Sequence, residues 1–289
     1  MRRVFSAFLF AIGLVLGSGA WLVAPARAEE LALRFERDGA LLRSLSRAEL
    51  TAACGVERIE VADPYYQKTK TFLAFSLACV LEQGFGKPVS AQREENFFLR
   101  ASDGYVKPAS GARLAEPGGW LAFGDAEHSR ADTPGWEPID RRQVDPGPYY
   151  LVWSGPGQND AHRYPWPYQL VAIEIAPFEA RYPHTLPKGV PPDAPAWTGF
   201  AVFRAECVAC HAINGEGGTI GPELNLPQSI VEYRPAAQLK SFIQNPAQFR
   251  TSSMPANPHL TPEQLDGLIA YFTAMRERKH DPSPALPTP

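Results

Sequence analysis

Cys207, Cys210 and His211 stand in the order C-x-x-C-H, a spacing that presents two thiols and an imidazole from one short segment. On a helix at about 100° per residue, Cys210 falls about 60° to one side of Cys207 and His211 about 40° to the other, so the three share a face. Thiols placed this way can add to the two vinyl groups at a haem edge while the imidazole reaches the iron. One segment then supplies both the covalent tether and the proximal ligand. Other uses of a cysteine pair need different surroundings: a dithiol redox motif wants a βαβ unit and a zinc knuckle wants four ligands at suitable spacing. Neither setting is visible in the sequence.

The sixth iron position has few candidates, because the chain holds only three methionines. Met1 opens the leader and Met275 belongs to an apolar helical stripe. Met254 lies in the turn-like Thr251-Ser252-Ser253-Met254-Pro255, and is expected to fold over the open haem face; His259, five residues on, is the rival. A thioether is a soft ligand that favours ferrous iron, so a His/Met pair raises the reduction potential and points to electron transfer.

The elements that must hold these groups follow from periodicity. Residues 197–212 read as a helix carrying the motif at its end, with Phe200, Phe203 and Val208 turned inward. Asn214-Gly215-Glu216-Gly217-Gly218 breaks it. A second helix is expected over 236–245. A third starts after Thr261-Pro262-Glu263-Gln264, where Thr261 caps and Pro262 takes the first helical position. Its stripe of Leu265, Leu268, Ile269 and Phe272 is expected to pack on the first helix by way of Phe203 and Gly199.

At the other end, Met1-Arg2-Arg3, an apolar run over 4–23 and the small-x-small Ala26-Arg27-Ala28 read as an export signal over 1–28, with an uncleaved membrane anchor as the alternative. Export places the protein in an oxidising compartment such as the periplasm, where haem attachment of this kind and lasting disulfides belong. Losing a leader with three arginines and no acid takes the formal charge from −3 to −6. No long basic run is present, which argues against a nucleic-acid partner. Residues 177–196 are proline-dense and read as a connector between a domain over 29–176 and a helical domain over 197–280, with 281–289 a frayed tail.

Residues 29–176 read as mostly β. Short strands are expected over 56–61, 96–100, 120–123, 149–153 and 169–175, with one helix over 72–83. The lone histidines His128, His162 and His184 read as solvated loop side chains, and no acid pair suited to acid/base catalysis stands out. Trp120, Trp136, Trp153 and Trp166 are expected to fill a core, although an exposed Trp166-Pro167-Tyr168 would make a docking edge. Cys54 and Cys79 are expected to pair as a disulfide in an exported protein, contributing about 3 to 4 kcal/mol by loop closure, with a free or metal-bound thiol as the alternative.

Two resemblances sharpen this reading. Residues 197–279 resemble a class I monohaem cytochrome c through Cys207-Val208-Ala209-Cys210-His211, Gly221-Pro222-Glu223-Leu224, Phe242-Ile243-Gln244-Asn245-Pro246, Met254-Pro255 and Leu265 through Phe272. The resemblance implies one covalent haem c, iron ligation by His211 and Met254, and a Pro222 carbonyl that orients the proximal histidine. Most of residues 31–176 are similar to proteins with the sulfite oxidase type of molybdopterin-binding fold. The carrying segments are Phe72-Leu73-Ala74-Phe75-Ser76-Leu77, where that family has a strand leading into a helix, Ala101-Ser102-Asp103-Gly104-Tyr105, and Gly147-Pro148-Tyr149-Tyr150-Leu151-Val152-Trp153 before Trp166-Pro167-Tyr168-Gln169-Leu170. That family's catalytic members use a cysteine thiolate on molybdenum. Neither Cys54 nor Cys79 falls where they keep it, so the module is expected to lack molybdopterin.

The fold class expected is therefore α+β: a mostly-β module joined to an all-α haem domain. The function expected is a periplasmic one-electron carrier serving a redox enzyme. Its rivals are a molybdenum oxidoreductase with a fused cytochrome and a docking or assembly subunit of a dehydrogenase complex. Residues 197–289 carry seven basic and eight acidic groups, so docking is expected to rest on shape and apolar contact.

Overall fold

Alternate side chains of one strand divide the interior in two. In Asn96–Ala101, Phe97 and Leu99 join a buried cluster with Phe35, Phe75 and Leu121, while Phe98 joins a second with Phe178, Tyr182, Phe203 and Tyr271. Successive residues of a strand face opposite sides. A strand apolar on both sides therefore lies between two packed layers.

The computed structural model describes residues 32–130, 133–139, 142–252 and 254–282, so the expected export signal and most of the tail lie outside the described residues. In chain order the N-terminal elements are β1 (Leu33–Arg37), β2 (Ala40–Leu45), α1 (Arg47–Cys54), β3 (Glu57–Asp63), β4 (Lys68–Ser76), α2 (Leu77–Phe85), β5 (Asn96–Ala101), β6 (Val106–Ser110), β7 (Gly119–Asp125), β8 (Tyr150–Trp153) and β9 (Leu170–Ile175). They form a five-stranded sheet in the order β2-β1-β9-β5-β6 and a four-stranded sheet β3-β4-β7-β8. All ladders are antiparallel except β1 with β9, which run parallel with Phe35 opposite Ile173. The parallel pair fixes the chain's return, because β9 inserts between the first strand and β5.

The helix expected over 72–83 begins only at Leu77. Residues Lys68–Ser76 are a strand whose buried positions include Lys70, Phe72 and Ala74, a period of two, and ladders to β3 and β7 satisfy its backbone on both sides. Pairing on two edges outweighed the helical spacing of Phe75, Leu77 and Leu81. The strand-into-helix arrangement implied by the second resemblance is the one present. Trp166 is also not exposed: it is buried and its indole N–H donates to the Gln158 carbonyl at 3.0 Å, which removes the docking edge.

In the proline-dense stretch, Phe178–Arg181 makes one helical turn, and Phe178 and Tyr182 are buried against Phe98. The helix Pro195–Val202 follows, with proline in its first turn. It lies against the terminal helix Pro262–Arg276 so closely that a Cβ on Gly199 would stand 1.9 Å from the Gly267 carbonyl oxygen. Phe203 and Tyr271 meet beside this crossing with ring centroids 5.4 Å apart. Thr261 caps the terminal helix in a reciprocal box with Gln264, and a further helix spans Ala236–Gln244. The described residues belong to one compact unit. Among them, no helix is long and apolar enough to cross a membrane.

Candidate haem-binding site

The helix expected to run through the motif stops short of it. Regular α-helix ends at Val202, a wider π-type turn spans Phe203–Cys207, and residues 208–210 form a turn. Beyond Cys210 the helix does not resume, because three consecutive carbonyls are taken from outside: Val208 O accepts from Gly218, Ala209 O from Val106 and Cys210 O from Gly221. A helix would need those acceptors for itself. His211 N–H nevertheless still donates to Cys207 O at 2.9 Å, so the motif keeps one helical turn's geometry and its three side chains stay together.

Cys207 and Cys210 are free thiols, both partly buried. Burial pushes the Cys207 thiol up to about 12, with Glu206 adding to the effect, and the Cys210 thiol up to about 11. Both are therefore protonated at neutral pH. Burial also lowers the His211 imidazole below its usual range, which keeps it neutral, the form that ligates metal. Its Nδ1 lies 2.8 Å from the Pro222 carbonyl. Since a carbonyl only accepts, Nδ1 carries the proton and Nε2 is left with a free lone pair.

The imidazole is seated on a glycine: a Cβ at Gly221 would stand 2.4 Å from His211 Cε1. Glu223 secures the same loop by accepting from the backbone N–H groups of Asn214, Gly215, Asn225 and Leu226. Met254 is half-buried and packs, as Cys207 does, against the cluster containing Phe203, Val208 and Leu268. The rival His259 has its Nε2 3.7 Å from a Glu206 carboxylate oxygen. Two thiols and an imidazole with Nε2 unencumbered from one segment, with Cys207 and the Met254 thioether against one apolar cluster, form a donor set that fits a covalently held haem.

The N-terminal module contributes to this region, which the sequence reading did not anticipate. The β5–β6 turn docks on the motif: Val106 N–H donates to Ala209 O at 3.0 Å and Thr219 N–H to Gly104 O at 3.1 Å. Gly104 has φ of 95°, and a Cβ there would stand 2.1 Å from Thr219 Oγ1. The Lys107 ammonium donates to the Ala205 carbonyl at 3.0 Å, and Arg204 reaches Asn96 on β5 at 2.9 Å. Tyr65 and Tyr105 lie within electrostatic reach of Cys210, and burial raises both phenols above their ordinary range. The Ala101-Ser102-Asp103-Gly104-Tyr105 segment forms this turn, and its docking target is remote in sequence.

Elsewhere, Cys54 and Cys79 form a disulfide joining the end of α1 to α2. The three histidines read as solvated have acidic neighbours: His128 with Asp125, His162 with Glu206, and His184 with Glu216 at 2.6 Å. Asp125 is fully buried at the end of β7 and ion-paired with Lys70.

The cytochrome c family model matches residues 196–275. No curated protein matches the chain. The C-terminal part is thus a cytochrome c domain, a family that carries covalently bound haem c, transfers electrons and is typically extracytoplasmic. The β-rich N-terminal module lies outside that match.

Proposed function

We propose that the chain is a periplasmic monohaem cytochrome that relays single electrons between a redox enzyme and a downstream acceptor. The observation that carries this reading is the pairing of two free thiols with a histidine whose Nδ1 is fixed on the Pro222 carbonyl. Cys207 and Cys210 would hold the haem, His211 and Met254 would ligate its iron, and the haem would supply a one-electron couple. Pro222 and Gly221 hold the imidazole in one tautomer and one plane, so the ligand needs little rearrangement when the iron changes charge. Met254 packs against the buried cluster of Phe203, Val208 and Leu268, which gives its thioether apolar surroundings.

The N-terminal module is, in this reading, a cofactor-free relative of the sulfite oxidase type of fold. Its disulfide occupies both of its cysteines, leaving no thiolate in the module for molybdenum. The donor set that such a cofactor needs is therefore incomplete. A docking role for this module is the second reading, favoured by the hydrogen bonds from Val106 and Thr219 that seat the β5–β6 turn on the attachment segment.

Expression in a host with a working c-type maturation system tests the assignment. Intact mass is expected to exceed the polypeptide by one haem, and Cys207→Ser with Cys210→Ser is expected to lose it entirely. An unmodified polypeptide in such a host would overturn the haem assignment, and stoichiometric molybdenum in the native protein would overturn the cofactor-free reading of the N-terminal module.

A further inference from the structure

Three side chains from distant parts of the chain converge beside the attachment segment. His162 comes from the loop between β8 and β9, Glu206 immediately precedes Cys207, and His259 lies in the segment between Met254 and the terminal helix. One donor atom from each lies within 4.8 Å of the others. The Glu206 carboxylate faces both imidazoles, one oxygen 3.8 Å from His162 Nδ1 and the other 3.7 Å from His259 Nε2, and the two rings are 4.4 Å apart by centroid.

We propose that His162, Glu206 and His259 form a divalent transition-metal site, of the zinc class, that clamps the N-terminal module to the segment following Met254. Two imidazoles and one carboxylate are a common protein set for such an ion, with water in the fourth position. At metal–ligand bonds of about 2.0 to 2.1 Å a tetrahedral ion holds its donors about 3.3 to 3.4 Å apart. The two carboxylate–imidazole separations, one from each Glu206 oxygen, are 3.8 and 3.7 Å and the donor set as a whole lies within 4.8 Å, so closing on an ion requires side-chain rotation, which an open surface permits. Both histidines are accessible, with side-chain exposures of 51% and 39%, so an ion can enter.

Asp125, His128 and Glu137 also cluster, but there the Lys70 ammonium bonds both carboxylates and already supplies the positive charge. Among the described residues no ammonium or guanidinium lies within pairing distance of Glu206, whose close side-chain partners are the two imidazoles; the Lys107 ammonium feels its charge but donates to the Ala205 carbonyl instead. A divalent ion placed between the two imidazoles and the carboxylate would bind all three.

The ion would tie the N-terminal loop to both sides of the cytochrome domain, through the residue before Cys207 and the one five positions after Met254. A dication near the attached haem favours the iron state of lower charge, so binding is expected to raise the reduction potential. This consequence rests on the haem assignment; the binding itself does not.

Isothermal titration of chelator-treated, full-length protein with zinc chloride is the test. One equivalent is expected to bind, with affinity at least tenfold weaker in His162→Ala and again in His259→Ala, and unchanged in His280→Ala, which alters a different histidine pair stacked at 3.6 Å. His162 is on the surface of the N-terminal module, so its variant keeps the fold, which circular dichroism checks. Absence of stoichiometric binding, equal affinity in His162→Ala and parent, or loss in His280→Ala would each overturn the site. Binding without any shift in potential would retain the site and remove its proposed influence on the haem.

Discussion

Met254 and Glu137 show at the residue scale how one side chain can set a measurable property. A thioether stabilises ferrous iron more than ferric, so with Met254 as the proposed sixth ligand, Met254→Ala is expected to lower the midpoint potential in a redox titration and to let carbon monoxide bind the reduced haem. A variant matching its parent on both counts would assign the sixth position elsewhere. Glu137 bears on stability through its two lysine partners. Hydrogen bonds from Lys68 and then Lys70 pull its carboxyl down to about 2 from an ordinary 4.5. The folded form thus keeps this group charged where the unfolded chain would protonate it. The resulting stabilisation is complete above about pH 4.5 and disappears as pH falls toward 2. Melting temperatures of Glu137→Gln are expected to lie below the parent's at pH 7 and to converge with them across that window.

At the element scale, contacts without side chains matter as much as those with them. The helices Pro195–Val202 and Pro262–Arg276 approach through Gly199, where a methyl group would meet the Gly267 carbonyl at 1.9 Å. Gly199→Ala therefore has to push the helices apart, at a cost of about 1 to 3 kcal/mol by overpacking, readable as a lower urea midpoint. The pairing of these helices was legible because Leu265, Leu268 and Phe272 repeat at helical spacing on one side and Phe203 waits on the other. Lys68–Ser76 was not read correctly, because its two ladder partners are distant strands whose pairing no local window contains. The disulfide ties α1 to α2 across 25 positions. Replacing Cys54 and Cys79 together with alanine is expected to cost about 3 kcal/mol of chemical stability while leaving the haem spectrum of the native form unchanged.

For the molecule as a whole, the haem motif was readable from sequence because its donors fall within five residues, and the surface covering it was not, because the partners are remote. Lys107 and the Ala205 carbonyl that it binds are 98 positions apart. What joins the two modules is β5 and the turn after it: Phe98 enters the cytochrome core, Asn96 holds Arg204, and Gly104 receives Thr219. Gly104 is a point of close approach in that contact. Its φ of 95° is poorly tolerated by any other residue, and a side chain there would collide with Thr219 Oγ1. Gly104→Val is accordingly expected to loosen the turn from the attachment segment while both buried clusters persist. Limited proteolysis should then cut faster within 177–195, where Phe178 and Tyr182 depend on Phe98 for their burial. Cleavage at the parent's rate, with an unchanged melting temperature, would mean that the turn rests on the motif without holding it.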